Sequence, residues 1–333
     1  MNDGLRIEDI LNKRFSTRNM SDEDFHENVD SLASQLKDVS YIDNYSEETL
    51  RKDWKNLCKY KIESNDIAST SRVGMKLCQH FFPNFYEIST PNKKSFSDLW
   101  QDVELLKKIL VWNRKSHSTP YLSELKRGVY FCAGITKSTM YRPQMAKIVT
   151  HGKKTVFDPC AGWGGRMLGA VSNGCKYYAF EPNTKTYKNL NNLAAFLGIE
   201  DYVEIFNDDL MNIDKYDFPD CEILLTSPPY YNVEIYCQEE TQSISKVKSY
   251  SDWVDKFLSP AIMKSVERLT DDGESCWNVA KIGKYDMWED VFRTHQDIGF
   301  SFKEEYNVIS STRPTLNKTK KSFDRTVKFT KGN

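Results

Sequence analysis

Phe157-Asp158-Pro159-Cys160-Ala161-Gly162-Trp163-Gly164-Gly165-Arg166 closes a short apolar run and opens a helical pattern, and this junction decides the fold. Glycines at a strand-to-helix turn let the backbone come close to a ligand, and the start of the following helix favours a carboxylate or phosphate. From residue 140 onward short apolar strands alternate with helices, the texture of βαβ units in a parallel sheet. The candidate strands are 155–158, 176–181, 202–206, 222–226, 274–280, 302–309 and 325–329, with helices expected over 140–150, 163–173, 183–197, 250–269 and 287–298. The last two strands are joined through 310–322 with no helical pattern, which predicts an antiparallel pair at the end of the sheet. The expected fold is α/β: a doubly wound, mostly parallel, seven-stranded sheet with a terminal antiparallel strand.

Upstream, from Ile7 to about Leu110, apolar residues such as Leu32, Leu36, Leu50, Trp54, Leu57 and Leu106 recur at helical spacing, without a glycine-rich strand-to-helix turn. Ser116 to Pro120 reads as a linker. The expected division is therefore a helical N-terminal region, 1–115, and the sheet domain, 116–333, in keeping with a 333-residue chain longer than one average domain. With 46 Lys and Arg against 47 Asp and Glu, the net charge is −1, so any polyanion must be met by local patches. The eight cysteines form no Cys-x-x-Cys pair and share no ligand-like spacing with the five histidines, which predicts reduced thiols and no metal. No secretory leader and no membrane-length apolar run is evident, so a soluble, cytoplasmic protein is expected.

Polar residues punctuate the strand ends. Glu181 follows the second strand about twenty residues after the glycine loop, where an acid can accept ribose hydroxyls, and Asp208-Asp209 follow the third, where a carboxylate can accept an adenine amine. Glycines and acids at successive strand ends predict a nucleoside ligand across the carboxyl edge of the sheet. The fourth strand, Ile223-Leu224-Leu225, runs into Thr226-Ser227-Pro228-Pro229-Tyr230. Two prolines fix φ and bring no N–H, so the strand stops and its carbonyls stay out of the ladder. The Ser227 hydroxyl and the Pro228 carbonyl could then take both hydrogens of an exocyclic amine while Tyr230 stacks on its ring.

Asp-Pro-x-x-Gly-x-Gly-Gly followed by Ser-Pro-Pro-Tyr resembles the S-adenosylmethionine-dependent amino-methyltransferases of DNA, which methylate cytosine N4 or adenine N6; the resemblance covers residues 130–333. It implies a class I methyltransferase-like fold, S-adenosylmethionine as cofactor and DNA as partner. It carries the cofactor-loop role to Asp158, Gly162 and Gly164 with Cys160 and Ala161 between them, the ribose acid to Glu181 with Pro182 beside it, the adenine acid to Asp209 or its neighbour Asp208, and the catalytic role to Ser227, Pro228, Pro229 and Tyr230. The family's element that grips the methionine end is matched loosely by Thr139 to Ala146, which offers Tyr141. The same residues read equally as an ordinary helix start with Pro143 in its first turn. Serine at 227, where acidic variants carry Asp, leans towards cytosine N4.

The stretch between loop and catalytic motif is filled by βαβαβ, so target recognition is expected elsewhere: in residues 1–115, in the loop 231–249 with Tyr231 and Tyr236 for stacking, or at the basic segment where Arg313, Lys318, Lys320 and Lys321 would neutralise phosphates. Alternatives remain. Adenine N6 or an RNA base could be the target, protein-glutamine methylation would want Asn in place of Ser227, and a catalytically dead cofactor- or DNA-binding subunit would not need Glu181 and Ser-Pro-Pro-Tyr together. No cysteine follows a proline at the catalytic strand end, which excludes a cytosine-C5 thiolate mechanism.

Overall fold

Seven strands form one sheet: β1 (Thr155–Asp158), β2 (Lys176–Phe180), β3 (Val203–Phe206), β4 (Cys221–Thr226), β5 (Leu269–Val279), β6 (Phe300–Pro314) and β7 (Thr319–Lys331). The computed structural model describes residues 5–12, 17, 19–62, 71–116, 119–135, 138–231, 234–245, 247–282, 285–314 and 319–332, and of 282, 308–314 and 319–324 the backbone alone. The spatial order is β3-β2-β1-β4-β5-β7-β6. The first five strands run parallel, and β7 lies antiparallel to both β5 and β6. This is the class I methyltransferase-like arrangement, an α/β sheet closed by an antiparallel hairpin.

Parallel strands covered on both faces have to be apolar throughout, and the period of two sorts their side chains. Val156, Tyr177, Ala179, Ile223, Leu225 and Cys276 enter one core, and Phe157, Phe180, Leu224 and Trp277 enter the other. The helices between the strands fall where the periodicity placed them: Gly165–Val171 after β1, Thr184–Leu197 after β2 and Met287–Asp297 before β6. The expected helix over 250–269 is interrupted, running as Tyr250–Trp253, a π-helical turn at Val254–Leu258 and Ser259–Val266. The final hairpin is longer than read, because most of 310–322 is strand. A strand polar on both faces shows no alternation to read.

The chain divides into two units, Met1–Asp43 with Pro83–Thr139 and Asn44–Phe82 with Met140–Asn333, so the division does not fall at residue 115. The helices Glu47–Lys59 and Met75–Phe81 carry Leu50, Leu57 and Leu77 into the core that also holds Met145, Leu168 and Leu193. In the other unit, Leu106, Ile109, Leu125 and Val129 share a core with Leu32 and Leu36. Helical periodicity reports which face is apolar, not what covers it. Two serines and an aspartate start helices of this unit: Ser21 accepts the Asp24 N–H, Ser95 and Asp98 form a reciprocal capping box, and Asp102 accepts the Leu105 N–H. No described helix is long and apolar enough to cross a membrane, and no cluster of His, Cys, Asp or Glu among the described residues could hold a metal.

Candidate active site at the carboxyl edge of the sheet

Because β1 leads outward through β2 to β3 and the chain then returns to β4 on its other side, the strand order reverses between β1 and β4, where open α/β sheets form their ligand crevice. The two lips are tied together by the Thr226 hydroxyl, which donates to Asp158 Oδ1 at 2.7 Å. Asp158 is fully buried and takes further donors: the Cys160 N–H at 3.1 Å, the Tyr177 hydroxyl at 2.7 Å, and Arg166 through Nε at 2.6 Å and Nη2 at 3.4 Å. Arg166 also donates to the Cys160 and Ala161 carbonyls. Burial, the largest single influence, would lower the pKa of this guanidinium, but the charge and hydrogen bond of Asp158 together with Tyr177 and Cys160 raise it on balance. One ion pair therefore shapes the whole glycine loop, and the oxygens of Asp158 are filled by protein.

The loop's glycines are needed for room. Gly164 has φ +73°, and a Cβ there would also come within 2.9 Å of the Phe82 ring; at Gly165 it would lie 1.9 Å from the Tyr141 carbonyl oxygen. Tyr141 thus packs directly under the loop. Its ring lies beneath Arg166, with 5.4 Å from the guanidinium carbon to the ring centroid, and its hydroxyl shares a hydrogen bond with Thr326 at 3.1 Å.

Glu181 is buried but only partly satisfied. Oε2 accepts the Gly162 N–H at 2.8 Å and Oε1 the Asn183 N–H at 2.9 Å. Its carboxyl is pushed up to about 7, by burial first, against the pull of these two N–H groups. A carboxylate oxygen can accept two hydrogen bonds, so each retains acceptor capacity at a buried site. That fits a vicinal diol. Beside it, Asn207 donates to the Glu181 and Pro182 carbonyls at 3.0 and 3.5 Å, joining the ends of β2 and β3. Asp208 accepts the Asp209 N–H, Asn212 and the Tyr216 hydroxyl at 2.7, 2.8 and 2.9 Å. Burial opposes ionisation of Asp208, yet these donors and Lys215 hold its pKa below the ordinary value. Asp209 caps the turn that follows, accepting the Met211 N–H at 3.0 Å.

At the end of β4 the Ser227 hydroxyl donates to Asn278 Oδ1 at 3.3 Å. The Tyr231 N–H bonds the Pro229 carbonyl at 3.2 Å, a tight turn centred on Tyr230, and among the described residues none donates to the Pro228 carbonyl. Tyr231, expected to contact nucleic acid, is 8 % exposed and is spent on packing. Its ring meets Tyr250 and Tyr285 edge-on at 5.6 and 5.4 Å, and it is the one described non-glycine residue with positive φ, +37°. Burial of that ring anchors the turn that aims its neighbour. Tyr236 is likewise turned inward, against Trp163 at 6.0 Å, with its hydroxyl on Glu234. The same segment reaches the start of the helix after β2, where Glu239 accepts the Thr184 N–H and hydroxyl and Thr241 donates to the Pro182 carbonyl. Of the basic segment, Arg313 and Lys320 are paired across the β6–β7 hairpin with Lys321 beside them, their side chains and all of Lys318 lying outside the described residues.

Asn278 was not singled out from the sequence, nor was Arg166 as the partner of Asp158. A signal existed for Asn278: an amide inside Cys276-Trp277-Asn278-Val279, a stretch otherwise apolar, has to be bonded if it is buried.

No protein-family model and no curated protein matches the chain. Among solved structures it is similar to TrmN from Thermus thermophilus, at 14% identity over 57% of this chain and 48% of that one, with a TM-score of 0.41. The match thus spans about half of that protein's length. It is similar to precorrin-6y C5,15-methyltransferase from Geobacter metallireducens GS-15, at 13% identity over 60% and 93% of the two chains, TM-score 0.42. An rRNA methylase from Streptococcus thermophilus matches at 18% identity over 58% and 99%, TM-score 0.37.

Proposed function

We propose that this chain transfers the methyl group of S-adenosylmethionine to the exocyclic amine of a nucleic-acid base, cytosine N4 in DNA being the favoured target. The observation that carries the reading is the meeting of the three motifs at one switch point, with Thr226, the residue before Ser-Pro-Pro-Tyr, hydrogen-bonded to Asp158 of the glycine loop at 2.7 Å. Glu181 would accept the ribose hydroxyls, the backbone of Gly162 to Gly164 would pass close to the cofactor, and Asp208 or Asp209 would accept the adenine amine. Cys160, Ala161, Pro182 and Tyr141 shape the walls, and Asp158 holds the loop through Arg166. The cofactor supplies an electrophilic methyl on a sulfonium.

An aromatic amine is a poor nucleophile because its lone pair is delocalised into the ring. The Ser227 hydroxyl and the Pro228 carbonyl, each accepting one N–H, favour a tetrahedral nitrogen and redirect that pair. Pro229 stops the strand, and Tyr230 stacks on the base, offsetting the few kcal/mol needed to unstack it from a duplex. Nucleoside mass spectrometry of DNA and RNA incubated with the protein and cofactor tests the assignment. N4-methylcytosine in DNA, absent with Ser227→Ala, is expected. N6-methyladenine or a methylated RNA nucleoside would redirect the substrate, and a fully active Ser227→Ala would remove the amine clamp.

A further inference from the structure

Asn278 is 8 % exposed, and its amide is held from both ends. Nδ2 donates to the Arg325 carbonyl at 3.0 Å and to Thr326 Oγ1 at 3.4 Å, while Oδ1 faces Ser227 at 3.3 Å. Strand register produces this contact: Thr226 of β4 lies beside Trp277 of β5, so the residues that follow each are neighbours, and Asn278 lies opposite Thr326 of β7. The Arg325 carbonyl can only accept, and this settles the amide's orientation. The oxygen must then face the serine, and the serine must be the donor.

We propose that Asn278 is a positioning residue for methyl transfer: by taking the single proton of Ser227 it leaves that hydroxyl able to meet the target amine only as an acceptor. The inference rests on the function proposed above. A freely rotating hydroxyl could donate to the amine nitrogen and occupy the lone pair that has to attack; holding the rotor removes that orientation. An amide, unlike a carboxylate, also takes no proton near neutral pH, so Ser227 has no base behind it. The nitrogen–methyl bond forms as the sulfur–methyl bond breaks, the sulfonium becomes a thioether, and the surplus proton of the methylated amine leaves to water.

The test compares Asn278→Ala and Asn278→Asp with Ser227→Ala in the full chain, reading methyl transfer to mixed-sequence duplex DNA and to total RNA, and cofactor binding by calorimetry. Asn278→Ala should lower kcat roughly tenfold or more, with the KM for nucleic acid and the cofactor Kd changed by less than about twofold. Asn278→Asp accepts from Ser227 when ionised, so its activity should persist at high pH and fall as the carboxyl takes up a proton, an acid limb absent from the native profile. Native kcat in Asn278→Ala with Ser227→Ala inactive overturns this inference and leaves the function standing; Ser227→Ala at native activity removes both. If Asn278→Ala does not fold, a native pH profile in Asn278→Asp overturns the inference by itself.

Discussion

Among the described residues, Asp158 takes five hydrogen-bond donors at the end of β1, whereas Glu181, just past the end of the neighbouring β2, takes two backbone N–H groups and no ion-pair partner. Both carboxyl groups are buried. The first is a keystone, its charge matched by Arg166 and its lone pairs consumed by the loop it shapes. The second has two backbone donors and a pKa pushed up to about 7 by burial, which suits the ribose acid proposed above. Burial and sequence position are alike in the two; the donor count separates them, and with it the roles proposed for them.

The largest effect expected from this contrast is on stability. Asp158→Ala strands a buried guanidinium and should cost about 3–5 kcal/mol in chemical denaturation, and Glu181→Ala should cost clearly less. Equal costs would erase the distinction.

The second effect is the pH dependence of stability. Glu181 has a folded pKa above its ordinary 4.5, so its contribution is full below 4.5 and is lost as pH rises through about 7. His295 is the opposite case. Burial lowers it from 6.5 to about 4 in the core, where it contacts Ser275 and the Val291 carbonyl, so stability is lost as pH falls from 6.5 towards 4. The two slopes oppose each other between 4.5 and 6.5. In Glu181→Gln the opposing slope is gone, the slopes of His295 and of His80, which burial also lowers, remain, and stability should climb with pH across that window by about 2–3 kcal/mol or more, more steeply than in the native protein. Parallel curves for the two proteins would contradict the assignment.

Binding comes third. Glu181→Ala should weaken calorimetric binding of S-adenosylmethionine by roughly 1–3 kcal/mol, the range for losing hydrogen bonds to a charged group. Unchanged affinity in a folded variant would move the ribose site away from β2. The smallest effect is the proton linkage of that binding. Ribose donors favour the ionised carboxylate, so affinity should fall as pH drops below about 7, by at most tenfold per pH unit, and the slope should vanish in Glu181→Gln. A native slope of zero would mean that Glu181 does not meet the ligand.

Much of this edge was legible in the chain. β1 was read to the residue, the helix after β2 to within one residue, and the interruptions at Gly162, Glu181 and Ser227 all lie at carboxyl ends of neighbouring strands. A strand buried on both faces must be an apolar run, so whatever ends it stands out, and in an α/β sheet those ends share one edge. Tyr231 was misread for a different reason. A tyrosine after Pro-Pro-Tyr looks exposed on paper, and only the arrival of Tyr250 and Tyr285 from later segments buries its ring.

By itself, then, the sequence determined the alternation of strands and helices, the doubly wound sheet with its antiparallel end, and the three motifs that line its edge, because these rest on local periodicity and on glycine and proline geometry. Tertiary structure alone decided that residues 44–82 join the sheet unit, that Arg166 and Thr226 close on Asp158, and that Asn278 stands behind Ser227 with Thr326 behind it. The first rests on which apolar faces cover one another and the Arg166 contact on how the glycine loop turns into its helix, while the Thr226 and Asn278 contacts depend on the register between strands far apart in the chain, which is set by collective packing of whole faces.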